Sequence, residues 1–195
     1  MEENKDMVFE NQNQIVSKYG IIYTDPPWEQ KKGGKKAVRP NSSGRELDYN
    51  TMSMADITAF HKQILEQNTE KQHNVFIWTI DKYLTETERF MEDFGYTRHA
   101  RIIWDKVTGI PSAFTIRYAH EYLLWYYRKG NILMPRKEAR GIYSDVMREQ
   151  VTRHSKKPEC AYRMIEDMFP QATKLELFAR NTRPGWDSYG NEVKE

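Results

Sequence analysis

Short apolar runs that suit β-strands alternate along this chain with amphipathic segments that suit α-helices. The predicted strands are residues 20–24, 74–79, 98–104, 121–127 and 174–179, with a further candidate within 143–151. The predicted helices are residues 54–67, 83–94 and 158–169. Such alternation predicts an α/β fold with a mostly parallel central sheet flanked by helices, which binds its ligands at the carboxyl ends of the strands.

Local signals mark the ends of these helices. Ser53 followed by Asp56 is typical of a capping box at the start of the first helix. Gly95 is placed to end the second helix, and Pro158 suits the first turn of the third.

Length and composition limit the class of protein. With 195 residues, 38% of them hydrophobic, the sequence predicts a single domain over residues 1–195. Thirty Lys and Arg against 28 Asp and Glu leave a charge of +2, so binding to a polyanion requires local basic patches.

The single cysteine, Cys160, excludes an internal disulfide and favours a reducing, cytoplasmic location. A polar start and the absence of an 18-residue apolar stretch predict no membrane span, and the histidines show no metal-ligand spacing.

The first predicted strand runs directly into Asp25-Pro26-Pro27-Trp28. An exocyclic adenine amine is a weak nucleophile because its lone pair is delocalised, so an enzyme that alkylates it has to position it and accept its N–H groups. Asp25 offers a carboxylate, the prolines fix the direction of the Pro26 carbonyl, and Trp28 offers a ring for stacking on an extruded base. The alternative is an ordinary turn in which Trp28 covers the core.

Two segments are predicted to be substrate-side loops. Residues 29–50 form a long basic loop, and five of its cations are predicted to contact phosphates; the alternative is a solvated loop. These cations are Lys31, Lys32, Lys35, Lys36 and Arg39. The second loop, residues 105–117 with Lys106, is either substrate-binding or an ordinary connector.

Some residues suited to chemistry are better explained by the fold. Trp78, Trp104 and Trp125 fall in predicted strands and are predicted to be core residues. His120 and Glu121 look like an acid/base pair, but the strand period places them on opposite faces, so neither is assigned a catalytic role.

Several motifs together resemble the family of the mRNA adenine methyltransferase catalytic subunit (MT-A type). The amino-terminal motifs are Tyr23-Thr24-Asp25-Pro26-Pro27-Trp28, Tyr49-Asn50-Thr51-Met52-Ser53 and Ile103-Trp104-Asp105-Lys106. The carboxyl-terminal ones are His154-Ser155-Lys156-Lys157-Pro158-Glu159, Met164-Ile165-Glu166, Leu175-Glu176-Leu177-Phe178-Ala179-Arg180, Trp186 and Gly190-Asn191-Glu192. The chain departs from the family at Ala179, where glycine is frequent, and in the turn after Arg180.

The resemblance implies a Rossmann-like methyltransferase fold in permuted motif order, with S-adenosylmethionine as the cofactor. It implies that Lys157 pairs with the cofactor carboxylate and that Tyr49 borders the substrate adenine; the alternative for Tyr49 is a hydrophobic hinge ahead of the Ser53 cap. The other cofactor-binding residues it implies are Glu176, Phe178, Arg180, Asn181, Asn191 and Glu192.

The function implied is methyl transfer to the adenine amino nitrogen in nucleic acid. DNA is the preferred substrate because the compact chain resembles the small prokaryotic and phage members that modify DNA. RNA adenosine is the first alternative, and a catalytically silent nucleic-acid-binding subunit is the second. Because the chain has no room for a large target-recognition domain, specificity is expected from the two loops, from a second protomer of a homodimer or from a partner subunit.

Overall fold

The computed structural model describes residues 15, 17–29, 51–108, 115–151 and 156–190. The strands are β1 (Tyr19–Thr24), β2 (Thr69–Thr79), β3 (Tyr96–Asp105), β4 (His120–Arg128), β5 (Val146–Arg148), β6 (Lys174–Leu177) and β7 (Asp187–Tyr189). The helices are α1 (Met54–Gln67), α2 (Leu84–Asp93) and α3 (Glu159–Met168), with short 3₁₀ turns at Asp81–Tyr83 and Lys137–Ala139.

The seven strands form one sheet in the order β5-β3-β4-β2-β1-β6-β7. The pairings of β1 with β2 and β6, of β6 with β7, and of β3 with β5 are parallel. Strand β4 runs antiparallel to both β2 and β3, and its pairing with β3 shifts by a bulge between Arg98 and Ala100. This mixed, mostly parallel sheet confirms the predicted α/β, Rossmann-like class.

Alternating residues of the sheet bury two separate apolar layers. Ile22 faces the layer formed with α1 and α2, whereas Ile21 and Tyr23 face the layer formed with α3. Trp78, Trp104 and Trp125 lie in the second layer with 0%, 2% and 5% of their surface exposed, which confirms them as core residues. Burial of each large apolar side chain contributes about 1.5–3 kcal/mol.

The predicted bounds of α1 are confirmed, and its cap forms as expected. Ser53 Oγ accepts a hydrogen bond from the Asp56 backbone N–H at 3.2 Å. Other boundaries differ: β2 begins at Thr69 rather than at residue 74, β6 ends at Leu177, and β7 had no strand-like signal. Within the described ranges, no helix has the length and apolar character needed to cross a membrane.

Candidate active site

The site lies where the connections of the sheet diverge. From β1 the chain crosses through α1 to β2 on one side, and from β6 it proceeds to β7 on the other side. Ligands of open α/β sheets bind at such a switch point, beyond the carboxyl ends of the strands. Asp25 follows β1 and Phe178 follows β6, so the two motifs meet at this edge.

Strand β4 brings a further residue to the same edge. Because β4 is antiparallel to β2, its first residues lie beside the carboxyl end of β2, where Thr79 pairs with Tyr122. Glu121 therefore reaches the site from the opposite chain direction. His120 contacts the Tyr122 hydroxyl at 2.8 Å, in agreement with the expectation that His120 and Glu121 point to opposite faces.

A line of alternating charges forms the centre of the site. Lys157 Nζ lies 2.9 Å from Asp25 Oδ1 and donates to Glu121 Oε2 at 2.7 Å. Lys106 Nζ donates to Glu121 Oε1 at 2.5 Å. The two cations balance the two carboxylates, and the side chain of Lys157 is only 11% exposed. Glu121 is thus a candidate site residue that strand alternation alone did not identify, since both of its partners come from other segments of the chain.

These contacts set the ionisation of the cluster. Burial favours the neutral form of Glu121, but Lys157 and Lys106 lower the pKa of its carboxyl to about 2. Burial also opposes the charge of Lys157, yet Asp25 and Glu121 raise the pKa of its ammonium. For Asp25, burial prevails and raises the pKa of the carboxyl, against the opposing charge of Lys157. Asp25 is consequently the carboxylate of the cluster that most readily holds a proton.

Lys157 is held in place by the start of α3. Pro158 is the N-cap of this helix, and Glu149 accepts the backbone N–H groups of Glu159 and Cys160 at 2.7 and 2.8 Å. A carboxylate at a helix N-terminus accepts hydrogen bonds from the free backbone N–H groups and interacts favourably with the positive end of the helix dipole. Cys160 itself is half-buried in α3. Its burial, together with the hydrogen bond and negative charge of Glu149, raises the pKa of its thiol to about 12, so the thiol is neutral.

The Asp25-Pro26-Pro27-Trp28 segment is a tight turn tied to the start of α1. The Pro26 carbonyl accepts the Trp28 N–H at 2.8 Å, and the Pro27 carbonyl accepts the Met52 N–H at 2.9 Å. The Pro26 carbonyl keeps a second lone pair for another donor.

Trp28 lies in the apolar core beside α1, with 5% of its surface exposed. Its ring stacks on Tyr83 with the centroids 5.1 Å apart. One face of the indole is therefore covered by protein, which is the position that the core-covering alternative describes. Its Nε1 is buried without a hydrogen-bond partner among the described residues.

The turn after β6 carries backbone strain and a close packing contact. Phe178 adopts φ 59°, a left-handed conformation that is uncommon for an aromatic residue, and its ring lies against Phe60. A Cβ added at Gly190 would stand 2.2 Å from the Ala179 carbonyl oxygen, so only glycine fits there. The Ala179 N–H donates to the Tyr189 carbonyl at 3.0 Å and holds this turn against β7.

Glu176, a predicted cofactor residue, is partly buried and hydrogen-bonded to α3. Tyr162 donates a hydrogen bond to Glu176 Oε1 at 2.7 Å. Burial nevertheless raises the pKa of Glu176 to about 7, and the negative charge of Asp25 acts in the same direction. Nearby, the Tyr23 hydroxyl is buried without a partner among the described residues.

His61 links α1 to the end of β1. Its Nδ1 lies 2.7 Å from the Ile57 carbonyl and must donate to it, so Nε2 accepts from the Thr24 hydroxyl at 3.0 Å. Burial lowers the pKa of His61 to about 4, which keeps the ring neutral.

The structure brings together Asp25, Glu121 and Lys157, with Lys106 at the margin, and places Arg180 near enough for its charge to act on Asp25. Asn181 is exposed in the same turn. The remaining predicted residues lie outside the described ranges: Lys31, Lys32, Lys35, Lys36, Arg39, Tyr49, Asn191 and Glu192. The described ranges contain no group of three His, Cys, Asp or Glu side chains arranged to bind a metal ion.

The chain is similar in sequence to known methyltransferases over about nine tenths of its length. The chain is 29% identical over 190 residues to the type II methyltransferase M.MunI of Mycoplasma sp, covering 91% of this chain and 79% of that protein. It is 29% identical to a probable N(6)-adenosine-methyltransferase MT-A70-like protein of Oryza sativa subsp. japonica and 26% identical to the N(6)-adenosine-methyltransferase catalytic subunit METTL3 of Homo sapiens. Each of these two matches covers 92% of this chain, but only 24% of the rice protein and 29% of the human one.

The relatives are named as methyltransferases, which confirms the enzyme class that the motifs predict. The MT-A70 family matches residues 19–192, nearly the whole chain and the same span over which the motifs occur. The chain therefore belongs to the MT-A70 family.

Proposed function

We propose that this protein transfers a methyl group from S-adenosylmethionine to the exocyclic amino nitrogen of adenine in DNA. The observation that carries the proposal is the contact of Asp25 with Lys157 at the switch point of the sheet. There the Asp25 carboxylate, which suits the substrate amine, lies beside the Lys157 ammonium, which suits the carboxylate of the cofactor.

The donor set fits the cofactor. An ammonium group has three N–H donors, and Asp25 and Glu121 account for two of those on Lys157, which leaves one for the cofactor carboxylate. Glu176 offers carboxylate oxygens to ribose hydroxyls, beside the turn that carries Phe178, Arg180 and Asn181. When bound, S-adenosylmethionine supplies a methyl group on a positively charged sulfur.

Asp25 has the position and ionisation to act on the substrate amine. Its Oδ1 faces Lys157, so Oδ2 can accept one amine N–H while the second lone pair of the Pro26 carbonyl accepts the other. The raised pKa of Asp25 suits a group that accepts the proton released when the nitrogen gains a methyl group. Trp28 and Tyr83, stacked together, support this turn from the core side.

A base within a duplex cannot reach such an enclosed edge, so the target adenine has to leave its stack. Since unpaired bases cost less to extrude, single-stranded or opened sites should be modified at least as well as duplex. The predicted basic cluster is proposed to hold the backbone phosphates. Changing two of its lysines, Lys31 and Lys32, to alanine should flatten the slope of log affinity against log salt by nearly one unit for each lysine–phosphate ion pair removed.

DNA is preferred over RNA because the match to M.MunI covers most of that protein, whereas the matches to N(6)-adenosine-methyltransferases cover less than a third of theirs. RNA adenosine is the second candidate, favoured by the names of the latter relatives.

The test is incubation with labelled S-adenosylmethionine and matched DNA and RNA oligonucleotides, single-stranded and duplex, followed by mass spectrometry of the nucleosides. We expect N6-methyladenine in DNA, lost in Asp25→Asn and retained in Asp167→Asn, whose carboxylate pairs with Arg136 at the far end of α3. Methylation confined to RNA would refute DNA as the substrate and make RNA adenosine the substrate instead. Cofactor binding without any transfer would support the silent-subunit alternative, and methylcytosine as the only product would refute the base assignment.

A further inference from the structure

Beyond the predicted cofactor residues, a second turn follows β6. It comprises residues 183–186, Arg183-Pro184-Gly185-Trp186, and is termed the RPGW turn. The Trp186 N–H donates to the Arg183 carbonyl at 3.1 Å, and Gly185 has φ 79°. Proline followed by a left-handed glycine is typical of a type II β-turn, so the two ends of the RPGW turn are fixed beside each other.

Both ends of the RPGW turn bind the same carboxylate on α3. Arg183 donates to Glu166 through Nε at 2.6 Å and through a terminal nitrogen at 2.9 Å. Trp186 Nε1 donates to Glu166 Oε1 at 2.7 Å. Charge-assisted, two-point contacts of this kind fix orientation as well as distance.

Arg183 also reaches the first turn of α3. Its two terminal nitrogens donate to the two oxygens of Glu159 at 3.1 and 2.7 Å. Glu159 is two residues after Lys157, and the Arg183 guanidinium lies 4.6 Å from the ring centroid of Tyr162, the residue that donates to Glu176. With 22% of its side chain exposed, Arg183 is a largely enclosed bridge.

We infer that Arg183 is a positioning residue that holds the turn at residues 178–182 in a fixed place relative to Lys157, and so prepares the cofactor site. The inference rests on the proposed cofactor. Residues 178–182 are anchored by β6 at one end, and at the other they lead into the RPGW turn, which α3 holds through Glu159 and Glu166. Lys157 precedes the same helix. One rigid helix thereby sets the separation between the two segments that are proposed to bind opposite parts of one ligand.

The chain offers a matched control on the same helix. Arg136 also forms an ion pair with α3, through Asp167 near its carboxyl-terminal end, and its Nε donates to the Asp167 carbonyl at 2.7 Å. Arg136→Met removes one α3 ion pair and Arg183→Met removes two, but only the second variant acts on residues 178–182. Both variants are expected to lower the melting temperature.

The first measurement is the affinity for S-adenosylhomocysteine by calorimetry. We expect Arg183→Met to weaken binding about tenfold, Arg183→Lys to lie between it and the wild type, and Arg136→Met to bind within about twofold of the wild type. In methyl transfer, the KM for the cofactor should rise in Arg183→Met while kcat at saturation changes little. Equal affinities in the Arg183 and Arg136 variants would overturn the inference. If Arg183→Met does not fold, Arg183→Lys and Glu166→Gln carry the same comparison.

The second measurement requires no ligand. Hydrogen exchange of the Ala179 amide, which donates to the Tyr189 carbonyl, should accelerate in Arg183→Met and not in Arg136→Met. A wild-type protein that does not bind S-adenosylhomocysteine would refute the proposed cofactor, and the exchange rates would then decide the role of Arg183 independently. Unchanged exchange at Ala179 would refute that role.

Discussion

Lys157 Nζ lies 2.9 Å from Asp25 Oδ1, so the cation that precedes α3 is held by the first residue after β1. The same ammonium binds Glu121 at the start of β4. Three segments that are distant in sequence thus share one charged group, and the stability of this edge of the sheet depends on the balance of its charges.

Removing the charge of Lys157 should therefore destabilise the protein and weaken cofactor binding together. Lys157→Met leaves Asp25 and Glu121 without their shared partner, and we expect a loss of roughly 3 kcal/mol in the free energy of unfolding. Glu121 keeps its ion pair with Lys106, so the double variant Lys157→Met, Asp25→Asn removes the other carboxylate that Lys157 had balanced and should regain part of this loss in chemical denaturation.

The matched control is Lys174→Met, because Lys174 is also buried but donates only to the Ala172 carbonyl among the described residues. Calorimetry should show weaker S-adenosylmethionine binding in both Lys157 variants and normal binding in the control. A double variant less stable than the single one would contradict the charge-balance explanation.

Glu176 should make stability fall as pH rises. Its pKa is raised to about 7 in the folded protein, from an ordinary value of 4.5, so between these values the folded state binds the proton that the unfolded state has released. The stabilisation is complete below about pH 4.5 and is lost as pH rises through 7, by about 3 kcal/mol. Urea denaturation of wild type and Glu176→Gln across this range measures it. The difference in stability between the two proteins should change with pH; a constant difference would show that Glu176 titrates normally.

Gly190→Ala should destabilise the turn after β6. The new Cβ would stand 2.2 Å from the Ala179 oxygen and 2.7 Å from its nitrogen, both backbone atoms that cannot rotate away. We expect a loss of about 3 kcal/mol by thermal unfolding together with reduced cofactor affinity. Gly20→Ala is the control, because its Cβ would meet the movable Leu133 side chain at 3.2 Å. Similar melting temperatures for the two variants would show that the turn can adjust.

The His61 contact to Thr24 can be separated into its two halves. His61→Leu leaves the Thr24 hydroxyl buried without an acceptor and should lower the free energy of unfolding by about 2 kcal/mol. Adding Thr24→Val replaces the hydroxyl with an apolar group and should restore much of that loss. A double-mutant cycle by denaturant titration measures the coupling, and purely additive effects would mean that the hydrogen bond contributes nothing.

The parts of the fold that local signals control were predictable. The Ser53 cap, the apolar face of α1 and the left-handed Gly95 are set within a few residues, and all three occur where the sequence indicates them. The early part of β2 was not predictable because residues 69–73 are polar, and neither was β7, because three residues, two of them polar, are too few to show a periodic pattern.

The site was predictable only in part, for a physical reason. Asp25 and Lys157 are identified by motif, but that they meet depends on tertiary structure. Glu121 could not be predicted as part of the site. The strand alternation shows that His120 and Glu121 lie on opposite faces of the sheet, but it does not show which residues each face contacts. Trp28 is expected to offer a ring to a base; the stacking partner that covers one face, Tyr83, comes from beyond the next strand.

The bulge between Arg98 and Ala100 determines where this protein can tolerate insertions and deletions near β3. In β4, a slip of one residue would present His120 or Tyr122 to the site instead of Glu121 and would remove the anion between Lys106 and Lys157. The bulge absorbs one residue at the end of the β3–β4 pair that is remote from the site, while Asp105 stays opposite His120. An insertion or deletion in the turn between α2 and β3 can thus be accommodated there, whereas one between β3 and β4 that shifts their alignment would change the charge of the site.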